Sequence, residues 1–71
     1  MTKGYRFDNL NPSVGSEHHA FRTLADCEKF VRLQGGLKGG MRIYEIEGTL
    51  VRDEGGPDGL VIIVNRYRKI Q

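Results

Sequence analysis

The sequence predicts an α+β fold: a two-layer arrangement of a small antiparallel sheet of three or four strands, with one α-helix on one face. Three observations carry this. Residues 41–70, MRIYEIEGTLVRDEGGPDGLVIIVNRYRKI, read as two strands joined by a glycine-rich turn. Residues 24–34 carry an amphipathic stripe between a helix start signal and a helix stop signal. The order of elements is strand, candidate strand, helix, strand, strand, which leaves a single helix to cover a sheet.

The hairpin comes first because it is the longest feature. Residues 41–52 are rich in Ile, Tyr, Thr, Leu and Val, which suit a pleated, half-buried surface. Residues 60–70 open with five apolar side chains and then alternate. Between them DEGGPDG supplies glycines, a proline and aspartates, the chemistry of a turn. If Asp53 faces Leu60, then Glu47 faces Arg66 and Glu45 faces Arg68. Each opposite-charge pair contributes roughly 0.2–1 kcal/mol, whereas a one-residue slip sets charges against apolar side chains. In this register Tyr44, Ile46, Leu50, Val61, Ile63 and Tyr67 form the face expected under the helix. Val51, Ile62 and Val64 fall on the other face, with Leu60 close by and the Glu/Arg pairs as a rim. Gly48 is the weak point, since an isolated strand glycine marks a bulge.

Residues 3–9, KGYRFDN, alternate with Tyr5 and Phe7 on one side and read as a first strand. Asn-Pro and Gly-Ser in the following stretch signal turns. Residues 17–22, EHHAFR, read either as a second strand pairing back on the first or as an irregular lead-in to the helix. Thr23 is a good N-cap with Asp26 three residues on. Leu24, Cys27, Phe30 and Val31, with Leu33 as a further candidate, recur at helical spacing. Asp26 and Glu28 near the start and Arg32 near the end suit the helix dipole. Gly35-Gly36 supplies the stop, and GGLKGG is a flexible connector.

Length and composition bound the rest. Seventy-one residues make one domain, 1–71, and a chain of this size buries only about 60% of its unfolded surface, so its stability is marginal without help. The single cysteine excludes an internal disulfide and points to a reducing, cytoplasmic setting. The first residues lack the apolar core of a signal peptide, and no run approaches the roughly 20 apolar residues of a membrane span. A net charge of +2 is too mild for a dedicated nucleic-acid binder. In size and composition the chain resembles small accessory proteins of bacteriophages and mobile elements, a likeness that rests on no motif.

Sites of chemistry are few. As neighbours on a strand, His18 and His19 would point to opposite faces and would not easily share a metal. Cys27 sits in the apolar stripe and reads as a small buried hydrophobe. GGLKGG lacks the spacing of a phosphate-cradling loop, and DEGGPDG lacks the length and terminal Glu of a calcium loop. No nucleophile–base constellation is visible. No metal or cofactor is expected, and no enzyme activity.

The functional expectation is therefore a non-enzymatic protein-binding module, of the inhibitor, regulator or accessory kind. It acts through Val51, Leu60, Ile62 and Val64, rimmed by Glu45, Glu47, Arg66 and Arg68. A symmetric homodimer is favoured slightly over a different protein partner, and no membrane is involved. The structural alternative is that the segment around Leu10 and Val14 folds over this patch. The functional alternative is a small nucleic-acid binder using Lys38, Arg42, Arg66, Arg68 and Lys69 around Tyr67. A small enzyme or enzyme subunit comes third.

Overall fold

The computed structural model describes residues 1–10, 17–56 and 59–71. These residues form four strands and one helix: β1 (Thr2–Asn9), β2 (Glu17–Phe21), α1 (Leu24–Leu33), β3 (Met41–Asp53) and β4 (Leu60–Lys69). The strands make one antiparallel sheet in the order β2-β1-β3-β4. Of residues 17–22, open between strand and lead-in, Glu17–Phe21 form a strand and Arg22 lies just beyond it. Val14 and the turn signals of residues 11–16 lie outside the described residues, as do Pro57 and Asp58.

The helix forms for the local reasons visible in the sequence. Thr23 has extended backbone, and its Oγ1 accepts from the Asp26 amide at 3.1 Å. At the other end Gly35 and Gly36 take φ of 95° and 94°. Gly36 N–H donates to the Val31 carbonyl at 2.9 Å and Gly35 N–H to the Arg32 carbonyl at 3.0 Å, which, with the Gln34 N–H, satisfies carbonyls of the last helical turn. Leu33 is the exception in the stripe: it lies at the last helical position and is 77% exposed.

The face under the helix differs from expectation. The helix packs against Phe7, Phe21 and Ile43, using Cys27 and Val31, with Leu24 and Phe30 at the margin. Phe30 contacts the Phe7 ring at 5.6 Å and the Phe21 ring at 5.4 Å. Tyr5–Phe21, Phe7–His19 and Phe7–Ile43 are cross-strand pairs and so share a face. Tyr44, Ile46 and Tyr67 point the other way, and Tyr67 and Ile63 are 67% and 61% exposed. The reason is β1. It lies between β2 and β3, and its Phe7 aligns with Ile43, so the side of β3 that faces the helix is the one carrying Ile43 and Glu45.

The hairpin register has the expected ends and a shifted middle. Asp53 faces Leu60, Glu47 faces Arg66 and Glu45 faces Arg68. Gly48, however, faces Val64, leaving Asn65 as an extra residue, and Leu50 faces Ile62 before Arg52 faces Val61, leaving Val51 extra on the other strand. Two bulges on opposite strands cancel one another. They also bend the ribbon, and its tip folds across the side of the sheet away from the helix. Gly59 bridges to Ala20, Arg22 reaches Asp53, and the two outer strands meet at this end. Gly4 and Gly48 leave the space this needs. A Cβ on Gly4 would sit 3.0 Å from Leu60 Cδ2, and one on Gly48 would sit 2.9 Å from Ile62 Cγ2.

Candidate functional site

The expected interface residues divide. Leu60 is 6% exposed and Ile62 and Val64 are half-buried, all three turned toward Ile46 and the β1 backbone. Their own chain covers them in part, because the bent ribbon closes over that side. Among the described residues the cover is the hairpin itself; Leu10 is 47% exposed, and Val14 lies outside the described residues. Val51 is the member that faces solvent, at 56% exposure. The rim also differs. The extra residue Asn65 separates Val64 from Arg66, so the Glu/Arg pairs lie on the helix side and do not border Ile62 and Val64. Arg68 Nη2 donates to Glu45 Oε2 at 3.2 Å. Glu47, although opposite Arg66, has its ion pair with Lys3 at 3.9 Å.

What faces outward on the bent half of the hairpin is the alternate set. Val61 and Ile63 lie between the inward-facing positions 60, 62 and 64, and their cross-strand neighbours are Val51–Arg52 and Thr49. Thr49, Val51, Val61 and Ile63 are all exposed and all β-branched.

On the side of the sheet away from the helix, beyond the folded tip, a polar and aromatic row crosses the strands. Asp8, 4% exposed, is the one buried charged residue among those described. Arg6 Nε lies 2.8 Å from Asp8 Oδ1, and Arg6 Nη2 donates to Oδ2 at 3.0 Å. His18 Nδ1 stands 2.9 Å from the same Oδ1, from the opposite strand position. The Arg6 guanidinium lies over the Tyr44 ring at 5.3 Å, and Tyr44 meets Tyr67 edge to face at 5.6 Å. Arg42 is the cross-strand partner of Asp8 and Lys69 that of Tyr44, so both belong to this side. The expected nucleic-acid set is thus split: Arg42 and Lys69 on one side, Arg66 and Arg68 on the other, and Lys38 in the connector after the helix.

Sequence reasoning missed the Asp8 row. Part of its signal was present, since Arg6 and Asp8 are two apart on an alternating strand and must share a face. That His18 and Tyr44 flank them depends on which strands pair with β1.

The histidines separate as alternation requires. His19 lies on the helix side, 4.7 Å from the Phe30 ring, and His18 on the other. Cys27 is fully buried under the helix, and burial, with Glu28 adding, pushes its thiol up to about 11, the reverse of what a nucleophile needs. Among the described residues no three His, Cys, Asp or Glu side chains gather as a metal cluster would require. Beside His18 lies a cleft of about 280 Å³ lined by an arginine, two histidines and aliphatic side chains, none of which carries a hydroxyl or thiol. No described helix is long and apolar enough to cross a membrane. No family model, curated protein or solved structure matches the chain.

Proposed function

We propose that this chain is a non-enzymatic protein-binding module whose contact surface is the outward side of the bent β3–β4 hairpin, and whose first partner is a second copy of itself. The observation that carries this is the cluster Thr49, Val51, Val61 and Ile63, with Val51 and Ile63 56% and 61% exposed. β-Branched side chains adjacent on two paired strands make a flat, stiff surface that loses little freedom when covered. Contiguous apolar surface of this kind on a small protein marks an interaction site. Two hairpins packed face to face about a twofold axis would stand about 10 Å apart and bury the cluster in both copies. The burial also offsets the marginal core of a short chain.

Light scattering coupled to size exclusion tests this. The wild type is expected to run as a dimer at tens of micromolar, and Ile63→Glu, an exposed change that leaves the helix-side core intact, as a monomer. A wild type that stays monomeric at the highest soluble concentration removes the self-association reading.

A further inference from the structure

We propose that the side of the sheet away from the helix binds single-stranded nucleic acid, with the Tyr67 ring stacking a base and Lys69, then Arg42, holding successive phosphates to one side of it. This surface is distinct from the outward side of the hairpin tip, and the proposal does not depend on self-association. Three observations meet here. Tyr67 is 67% exposed, yet its ring is not loose: it meets Tyr44 in an edge-to-face pair, Arg6 lies over Tyr44, and the buried Asp8 holds Arg6 by two contacts. An exposed aromatic fixed by a chain of contacts reaching β1 is a preorganised stacking surface, and stacking accepts any base. Second, Lys69 lies opposite Tyr44 and two residues from Tyr67, with Arg42 beyond it; Arg42 Nη1 donates to the Met41 carbonyl at 3.0 Å, but among the described residues neither cation has an ion pair with a carboxylate, and Asp8, the acid of this row, is taken by Arg6 and His18. Third, Arg68 on the helix side is neutralised by Glu45, whereas Lys69 and Arg42 on the tyrosine side have no carboxylate partner among the described residues and are open to an anion. A flat sheet surface presenting an exposed ring with two cations in succession along one side of it matches a strand whose bases are unpaired. A duplex hides its base faces and offers only phosphates.

Fluorescence anisotropy with labelled oligo-dT, oligo-U and duplex DNA at low salt tests this on the full chain. Single strands of both kinds are expected to bind, with duplex markedly weaker. Tyr67→Ala should weaken single-strand binding by roughly 5- to 150-fold, the range of one stacked base, while Tyr67→Phe, which keeps the ring, should stay close to wild type. Lys69→Gln should lower the slope of log affinity against log salt by about 0.7, one single-strand phosphate contact. Circular dichroism melts matching the wild type show that each variant is folded, as expected for an exposed position. Absence of binding at tens of micromolar overturns the proposal, as does a folded Tyr67→Ala that binds like wild type. Equal affinity for duplex and single strands also overturns it, since charge alone would then explain the binding.

Discussion

Arg22, one residue beyond β2, grips the Asp53 carboxylate at the end of β3. Its Nε donates to Oδ2 at 3.1 Å, its Nη2 meets Oδ1, and its Nη1 donates to the Gly56 carbonyl at 3.0 Å. The fork ties the tip of the hairpin to the far edge of the sheet, where Gly59 bridges to Ala20. Both partners are about 40% exposed, so Arg22→Ala should cost under about 1 kcal/mol of global stability. Its effect should be local. The Glu54 amide, which donates to the Gly59 carbonyl, should exchange faster than in the wild type, with the helix-side core unchanged. Arg22→Lys should not restore protection, since lysine has no fork. Uniformly faster exchange across the sheet would show that the clasp does more than hold the tip.

Gly48 should tolerate no side chain. A Cβ there would land on the Ile63 carbonyl oxygen and 2.9 Å from Ile62 Cγ2. Because the obstacle is backbone on the paired strand, Gly48→Ala should cost about 2–3 kcal/mol in urea denaturation. Gly39, with nothing within 4 Å and no positive φ, is the control, and Gly39→Ala should be neutral or slightly stabilising. A mild Gly48→Ala would mean that the bulge at Asn65 can shift to make room.

Removing the Asp8 carboxylate leaves Arg6 without its partner in a largely enclosed position. Asp8→Ala should destabilise by about 2–3 kcal/mol, less than a fully buried pair because the Arg6 side chain is 30% exposed. Arg6→Met in the Asp8→Ala background should recover part of the loss, since the unpaired charge is then gone. No recovery would place the cost in packing and not in charge.

The Cys27 thiol gives stability a pH dependence in the alkaline range. Its pKa rises on folding from 9.0 to about 11. Between these values the unfolded chain has lost the proton and the folded chain keeps it. The contribution is therefore fully present below pH 9 and lost as pH rises through 11, on the order of 2–3 kcal/mol in all. The difference between wild type and Cys27→Ala, measured at pH 8 and at pH 11, isolates this from tyrosines and lysines titrating nearby. At pH 8 a thiol reagent should label Cys27 only in denaturant; rapid labelling of the native chain would contradict its burial.

How far the sequence reached follows the range of the interactions. The helix was legible from Thr23 to Gly36 because its cap, its stripe and its terminating hydrogen bonds all lie within a few residues. The hairpin ends were legible because charge pairing and the glycine-rich turn both specify them, and the two histidines divided by face because alternation is local. Gly48 marked the bulge, but nothing nearby named Asn65 as the extra residue or Val51 as its compensation.

The sequence by itself thus determined one helix, one hairpin and the alternation of each strand. Tertiary structure decided which side of the sheet the helix takes, because β1 inserts between β2 and β3 and its Phe7, aligned with Ile43, sets the core. It also decided which apolar side chains remain outside. The two bulges bend the ribbon so that Leu60 and Ile62 fold onto the space at Gly4 and Gly48, leaving Val61 and Ile63 in solvent. Pairing between strands about forty residues apart is a long-range event, and no pattern within a single segment encodes which face it will bury.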